Sequence, residues 1–439
     1  MSATQTVAFD CLLDRAYLKP VYQPIIDLAT GEVIAAEALA RWPELGLTPE
    51  AAFRWAIQVG RLADLDEACR NAAIDDAIAH GLPPGFELFV NLEPSVLAPD
   101  TASRLLARAS GQAGVVVEIT ERAVLNRPAE LLRAVHQLRT SGCAIALDDV
   151  GAVPDSLALL PFIAPDVVKL DISLVQRWPN VDQATIYTTI AAYVERTGAT
   201  VLTEGIETKA HLQQALALGA TVGQGWYLGQ AGDLGTLTPP NRPLGLRQPL
   251  MASPKSPFTL VESRAVRIAR KSLLLGFSQH LEHQGLALEI PPVVLGALQE
   301  ARHFTVRTAD RYSRLAIGCP IVAVLGLGIP PVPARGVRGV SLASNDPLCQ
   351  EWVVAVVGAH YAGALIARDL GDSGREQDRR FAFILTHDHT TVLAAARSLL
   401  ERVTAKVGFP GPTVTTQPTK FSRLDGKDGF ESRLPLRLR

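Results

Sequence analysis

The sequence predicts an α/β fold: a TIM-like (β/α)8 barrel whose first strand runs antiparallel, followed by a second, smaller α/β domain. Three observations predict it. Two β-type runs over 21–27 and 33–39 are joined by the turn Ala29-Thr30-Gly31-Glu32. A connection that short cannot make a parallel crossover, so the runs form a hairpin. Beyond the hairpin the apolar spacing alternates between the strand and helix periods over a length suited to a β/α barrel. Finally, acidic, amide and lysine residues recur where strand-like runs end: Glu37, Asn91, Glu118, Asp148, Asp149, Lys169 and Glu204.

Taken in order, the spacing predicts helices over 49–60 and 62–80, then a strand over 86–91. Further strands are expected over 115–119, 144–147, 167–170, 200–203 and near Thr221. Helices over 129–140, 156–161, 182–197 and 209–218 lie between them, with Gly142, Gly198 and Gly219 as C-terminal stops. With the hairpin this gives eight strands, and residues 10–238 form the barrel. An open doubly wound sheet is disfavoured because no G-x-G-x-x-G follows the first strand. Residues 239–257 carry Pro239, Pro240, Pro243, Pro249, Pro254 and Pro257, a linker composition. The second domain, 258–407, shows helical spacing over 264–283 and 292–302, strands over 321–325, 339–342, 352–357 and 381–385, and a closing helix over 391–404. Residues 408–439, rich in Pro, Thr, Arg and Lys, read as a disordered tail.

A net charge of −2 over 439 residues supplies no basic field for a nucleic-acid polymer. Five widely spaced cysteines without a Cys-x-x-Cys pair read as reduced thiols of a cytoplasmic protein. The first ten residues lack the basic and apolar regions of a signal peptide, and the apolar window 317–329 is too short to span a bilayer. No membrane partner is expected.

Carboxylates and an amide oxygen gathered at the C-terminal mouth of a barrel make a hard-oxygen environment suited to Mg²⁺ or Mn²⁺. Adjacent Asp148 and Asp149 repel unless cations hold them, and two close metals need a bridging carboxylate. Lys169 adds a positive group, and the chemistry suggested is metal-assisted phosphodiester hydrolysis. The plainer reading of each acid alone is a solvated strand end, and Lys169 could simply pair with Asp171 or Glu204. Trp42 and Trp55 read as core or rim aromatics rather than base-stacking platforms. His387 and His389 flank Asp388 without a third ligand nearby, which favours a loop over a metal site.

The first part of the chain resembles the EAL-domain family of cyclic di-GMP phosphodiesterases. The resemblance runs in order through Tyr22-Gln23-Pro24-Ile25, Glu37-Ala38-Leu39-Ala40-Arg41-Trp42, Val90-Asn91-Leu92, Glu118-Ile119-Thr120-Glu121, Asp148-Asp149-Val150-Gly151, Val168-Lys169-Leu170-Asp171, Glu204-Gly205-Ile206-Glu207-Thr208 and Gln224-Gly225-Trp226-Tyr227. It implies that Glu37, Asn91, Glu118 and Asp148 bind a first metal and that Asp148, Asp149 and Glu204 serve a second. By the same resemblance Lys169 orients or activates the water, Glu207 and Gln224 complete the site, and Glu121 holds the loop after Asp149. Gln23, Leu39, Arg41 and Gln224 would contact cyclic di-GMP, the product would be linear pGpG, and the barrel would form a homodimer. This chain departs from the family's usual Asp-Asp-Phe-Gly-Thr-Gly with Asp148-Asp149-Val150-Gly151-Ala152-Val153. The alternative expectation is therefore a weak or inactive receptor for cyclic di-GMP that acts through protein contacts.

Residues 258–405 resemble the DICT sensory domain through Ala301-Arg302-His303-Phe304-Thr305, Arg311-Tyr312-Ser313-Arg314-Leu315-Ala316, Asp346-Pro347-Leu348-Cys349-Gln350-Glu351-Trp352 and Asp378-Arg379-Arg380-Phe381. That resemblance implies a regulatory role, with an unassigned signal ligand or protein partner.

Overall fold

The structure is a computed structural model that describes residues 9–82, 85–93, 114–120, 125, 127–152, 154–177, 180–237, 244–246 and 253–403. Eight strands close a barrel: β1 (Lys19–Asp27), β2 (Val33–Arg41), β3 (Glu87–Asn91), β4 (Gly114–Thr120), β5 (Ala144–Val150), β6 (Val167–Leu170), β7 (Thr200–Thr203) and β8 (Val222–Gly223). β1 pairs antiparallel with β2, as the short turn requires, and antiparallel with β8 as well, and the other neighbours run parallel.

Because strand side chains alternate, each barrel strand serves two apolar clusters. Leu88, Val90, Val117, Ile145, Val168 and Val201 belong to the cluster that also takes in the surrounding helices. Ile25, Phe89, Val116, Ala146, Val167, Leu202 and Val222 fill the interior. The helices around the barrel are α1 (Pro49–Gln58), α2 (Leu62–Ala79), α3 (Pro128–Thr140), α4 (Leu160–Ile163), α5 (Ile172–Gln176), α6 (Val181–Thr197) and α7 (Lys209–Ala217). Their ends follow local chemistry. Asn180 and Gln183 form a reciprocal capping box on α6, which stops where Gly198 takes a left-handed φ of 72° and donates its N–H to Val194. The helix expected over 156–161 is instead a 3₁₀ segment, Pro154–Leu159, running into the single turn of α4. Helix α5 was not expected, its five residues being too few for a periodic signal.

The second domain is a seven-stranded sheet in the order β12-β11-β10-β13-β14-β15-β9. Its strands are β9 (Arg267–Arg270), β10 (Val293–Glu300), β11 (Val322–Leu327), β12 (Arg338–Ser341), β13 (Glu351–Val357), β14 (Ala362–Asp369) and β15 (Arg380–Thr386), with α8 (Lys271–Ala287), α9 (Val306–Gly318) and α10 (His389–Leu400). The helix expected over 292–302 is the strand β10. All but its last residue are buried, so the apolar run lacks the alternation that marks a half-exposed strand. The helix expected over 264–283 is divided between β9 and α8, and helix α9 with strand β14 went unpredicted. His387 and Asp388 lie in the short connection between β15 and α10, in keeping with the loop reading, while His389 opens the helix; the Asp388 side chain caps α10 by accepting from the Thr391 N–H at 2.9 Å.

The two faces of this sheet have different neighbours. Trp352, Val354 and Val356 of β13 join the apolar cluster of α8 and α9. Val353, Ala355 and Val357 join a cluster that includes α10 and continues into the barrel helices. There α10 lies against α4, and the buried Arg397 donates to the Phe162 carbonyl. Arg338 Nη2 donates to the Leu125 carbonyl at 2.6 Å, and His360 Nε2 lies 3.1 Å from Thr189 Oγ1.

Candidate active site

The strand register builds the site. Six interior core residues are followed two positions later, on the same face, by a polar group: Phe89 by Asn91, Val116 by Glu118, Ala146 by Asp148, Val167 by Lys169, Leu202 by Glu204 and Val222 by Gln224. β1 runs the other way, so Gln23 precedes Ile25 and sits opposite Glu37 in the β1–β2 register. One layer above an apolar barrel core, the period-two repeat therefore sets a ring of carboxylates, amides and an ammonium.

Lys169 is at the centre of that ring and has no exposed surface. Its Nζ lies 2.8 Å from Glu204 Oε1, 3.3 Å from Glu37 Oε2 and 3.4 Å from Asp148 Oδ1, and it donates to Glu118 Oε1. Gln224 Nε2 donates to Glu37 Oε2 at 2.6 Å and to Glu204 Oε1 at 3.3 Å, while Asn91 Nδ2 donates to Glu37 Oε1 at 3.3 Å. Four carboxylates against one ammonium leave an excess of negative charge in a buried place. Its effect shows in the proton affinities. Burial, then the neighbouring Glu37 charge, pushes the Glu118 carboxyl well above the usual range, against the pull of Lys169. Burial opposes the Lys169 charge, but Asp148, Glu118 and Glu37 together overcome it and hold the ammonium's pKa above its ordinary value.

The ring forms the floor of a cavity of about 840 Å³, toward the upper end of the range for small-molecule sites. Gln23, Leu39, Arg41 and Glu207 line it, so these expected residues share one opening with Glu37, Asn91, Asp148, Glu204 and Gln224. Glu207 is exposed at the rim, and the helix beside it is capped by Thr208, whose side chain accepts from His211. Asp149 follows Asp148 in a left-handed conformation, φ 59°, which aspartate tolerates better than most side chains. Glu121 lies outside the described residues.

The indole of Trp42 is buried and donates to Leu12 at 3.0 Å, and Trp55 packs edge-on against Phe9. Trp42 is too deeply buried to offer a face, and Trp55 does not line the cavity. A different aromatic does: Trp226, about half exposed, lines the cavity mouth. The signal for it lies in its neighbour. Gly225 has φ 153°, and a Cβ there would come within 2.3 Å of the Ile206 carbonyl oxygen, so glycine is required to turn the chain that presents the indole.

Comparison with known proteins places these observations in a family. The EAL domain model matches residues 8–231, and the model described as a sensory domain in diguanylate cyclases and two-component systems matches 258–370. The cyclic di-GMP phosphodiesterase RocR of Pseudomonas aeruginosa is 29% identical over 225 residues, covering 49% of this chain and 57% of that protein. The probable cyclic di-GMP phosphodiesterase PdeG of Escherichia coli is 29% identical over 237 residues, covering 52% of this chain and 47% of that protein. The chain thus spans about half the length of these curated relatives. Among solved structures, the PaMucR phosphodiesterase in complex with c-di-GMP is 25% identical with a TM-score of 0.47, covering 53% of this chain and 98% of that one. With a matching model over half its length and the family's motifs gathered at one barrel mouth, the chain belongs to the EAL-domain family and carries a DICT domain after the barrel.

Proposed function

We propose that the barrel hydrolyses cyclic di-GMP to linear pGpG and that the DICT domain regulates it. The observation that carries the proposal is the buried Lys169 ammonium ringed by Glu37, Glu118, Asp148 and Glu204 beneath a cavity lined by Gln23, Leu39 and Arg41.

The ring suits divalent cations by its chemistry. Its donors are hard oxygens, negative charge is in excess, and Glu118 Oε2 is a buried carboxylate oxygen without a hydrogen-bond partner. The carboxylates close on the Lys169 ammonium, and among the described residues no three acidic, imidazole or thiolate groups converge at metal-binding distance. Glu37, Asn91, Glu118 and Asp148 would hold one Mg²⁺ or Mn²⁺, and Asp148, Asp149 and Glu204 a second. Bound there, the cations would supply charge stabilisation and a more acidic water. The chain's own residues set the rest. Lys169 directs N–H groups at the carboxylate ring and would orient a water bound there. Gln224 orients Glu37 and Glu204 through its amide. Arg41 would meet a phosphate of the dinucleotide, and Trp226 offers a face on which a guanine can stack.

A second reading, a receptor that binds without efficient turnover, is favoured by the loop after Asp149. Val150 is fully buried, and Gly151, φ 98°, is wedged against Leu174 and Ile186, so this loop is packed by apolar contacts of its own. Regulation by the DICT domain is supported by its two buried arginines, because Arg397 and Arg338 bond carbonyls on the segments that follow β5 and β4. Incubating the purified protein with cyclic di-GMP and Mg²⁺ or Mn²⁺, with nucleotide chromatography as readout, tests the proposal. Accumulation of pGpG that chelation abolishes is the expected result. Binding that survives chelation, with no pGpG formed, would establish the receptor instead.

A further inference from the structure

In the second domain, α8 and α9 cover the sheet face that carries Trp352, and between them lies a second cavity of about 50 Å³. By the measure of about 10–15 Å³ for one water, it has room for roughly three to five water-sized groups. Lys271, Leu275, Ser278 and Glu282 line it from successive turns of one α8 face. The walls are polar although deeply placed: Ser278, Glu282, Gln299 and Trp352 are exposed by only 3, 4, 5 and 6%.

The acceptors of these walls are already engaged. Glu282 accepts from Ser278 Oγ at 3.1 Å and from Arg311 Nε at 2.8 Å. The side-chain Oε1 of Gln299 accepts from Arg379 Nη2 at 3.2 Å. Its backbone is held at φ 64° where the β10–β11 register breaks, a strained conformation of the kind that gathers at ligand clamps. One donor is left over: Trp352 Nε1–H is buried and has no acceptor. An orphaned buried N–H is costly, so a native chain keeps one where something else accepts from it. Charge narrows the choice. Lys271 pairs with Glu376, Arg311 with Glu282 and Arg379 with Asp369, so the cations around the cavity are matched one for one. An added anion would be a buried charge without a free partner. Leu275 and Leu298 provide an apolar wall, and Leu275, at 38% exposed, opens the cavity to solvent.

We propose that this cavity is a binding site for a small uncharged carbonyl compound, whose oxygen accepts from Trp352 Nε1–H and whose short alkyl part lies against Leu275 and Leu298. The site is independent of the chemistry assigned to the barrel. The test uses the full chain labelled with ¹⁵N at its indoles, the Trp352 resonance being assigned by its loss in Trp352→Phe. Acetamide and propionamide are titrated in, with acetate and propionate as charged counterparts. The expected result is a saturable shift of the Trp352 indole resonance with the amides and about ten-fold weaker half-saturation with the carboxylates. Leu275→Phe, which fills the cavity from its open side, should abolish the shift while leaving the indole resonances dispersed as in a folded protein. An indole resonance that no amide moves would show that water alone meets Trp352 and would overturn the proposal. Carboxylates that bind as well as the amides would overturn its uncharged class.

Discussion

Lys169 is the residue on which the charge balance of the barrel mouth turns. Removing it leaves Glu37, Glu118, Asp148 and Glu204 facing one another in a buried ring. Breaking a buried ion pair from one side costs about 3–5 kcal/mol, because the stranded charges keep their desolvation penalty. Lys169→Met should therefore lower the melting temperature markedly in chelator, and millimolar Mn²⁺ should restore much of the loss. Hydrolysis should fall by about 10²–10⁴-fold, the usual scale for a positioned proton-handling group. A Lys169→Met protein that melts with the wild type in chelator would refute the neutralising role. Trp226 gives a separate test. Stacking on an aromatic face contributes about 1–3 kcal/mol per base, so Trp226→Ala should weaken cyclic di-GMP binding in calorimetry by about ten-fold or more, without moving the melting temperature of the free protein. Unchanged affinity would leave the exposed indole without a part in binding.

At the scale of elements, Asp388 shows what a single loop residue can do for the helix that follows it. The absence of a third ligand beside His387 and His389 favours a loop over a metal site, and within that loop Asp388, three residues before Thr391, caps α10. Hydrogen bonds from the Thr391 side chain and then its backbone N–H hold the Asp388 carboxyl below the usual carboxylate range. A group with a depressed folded pKa adds stability above its unfolded pKa, near 3.9, and the contribution is lost as pH falls through the folded value. Asp388→Ala should thus cost about 1 kcal/mol at pH 6, and the gap from wild type in denaturant titrations should narrow as pH falls from 5 toward 3. A gap independent of pH would argue against the cap. The barrel elements were more legible than this because their core residues and their site residues share one period. Reading Val116-x-Glu118, Val167-x-Lys169 and Leu202-x-Glu204 as strand ends locates core and site together. Strand β10 carried no such signal: buried on both faces, Val293–Glu300 reads equally as a helix, and only its pairing with β11 and β13 decides. Trp226 was missed because a motif shows which residues recur and not which of them remain exposed.

Across the whole molecule, the face of the DICT sheet that carries α10 is the one turned to the barrel, and what it touches there bears on regulation. Arg397 donates to Phe162 on α4, which follows Asp148 and Asp149 on β5, and Arg338 donates to Leu125, which follows Glu118 on β4. Burial lowers the pKa of both guanidinium groups, that of Arg338 to about 10, the mark of cations kept in a poorly solvated interface. No sequence pattern announced these contacts, because their partners are main-chain carbonyls, which carry no side-chain identity. The two segments they bond follow the strands that bear three of the proposed cation-binding carboxylates, so docking of the DICT domain and occupancy of the cation sites should be coupled. Site-to-site couplings of about 1–3 kcal/mol are typical. In the double variant Arg338→Leu, Arg397→Leu, the Mg²⁺ concentration for half-maximal hydrolysis should therefore rise by about five-fold or more, while cyclic di-GMP binding measured in chelator stays near that of the wild type. The melting temperature should also fall, because the Phe162 and Leu125 carbonyls each lose a donor. The Mg²⁺ dependence is the deciding readout: a lower melting temperature with unaltered Mg²⁺ dependence would mean that the DICT domain stabilises the barrel without reaching its active site.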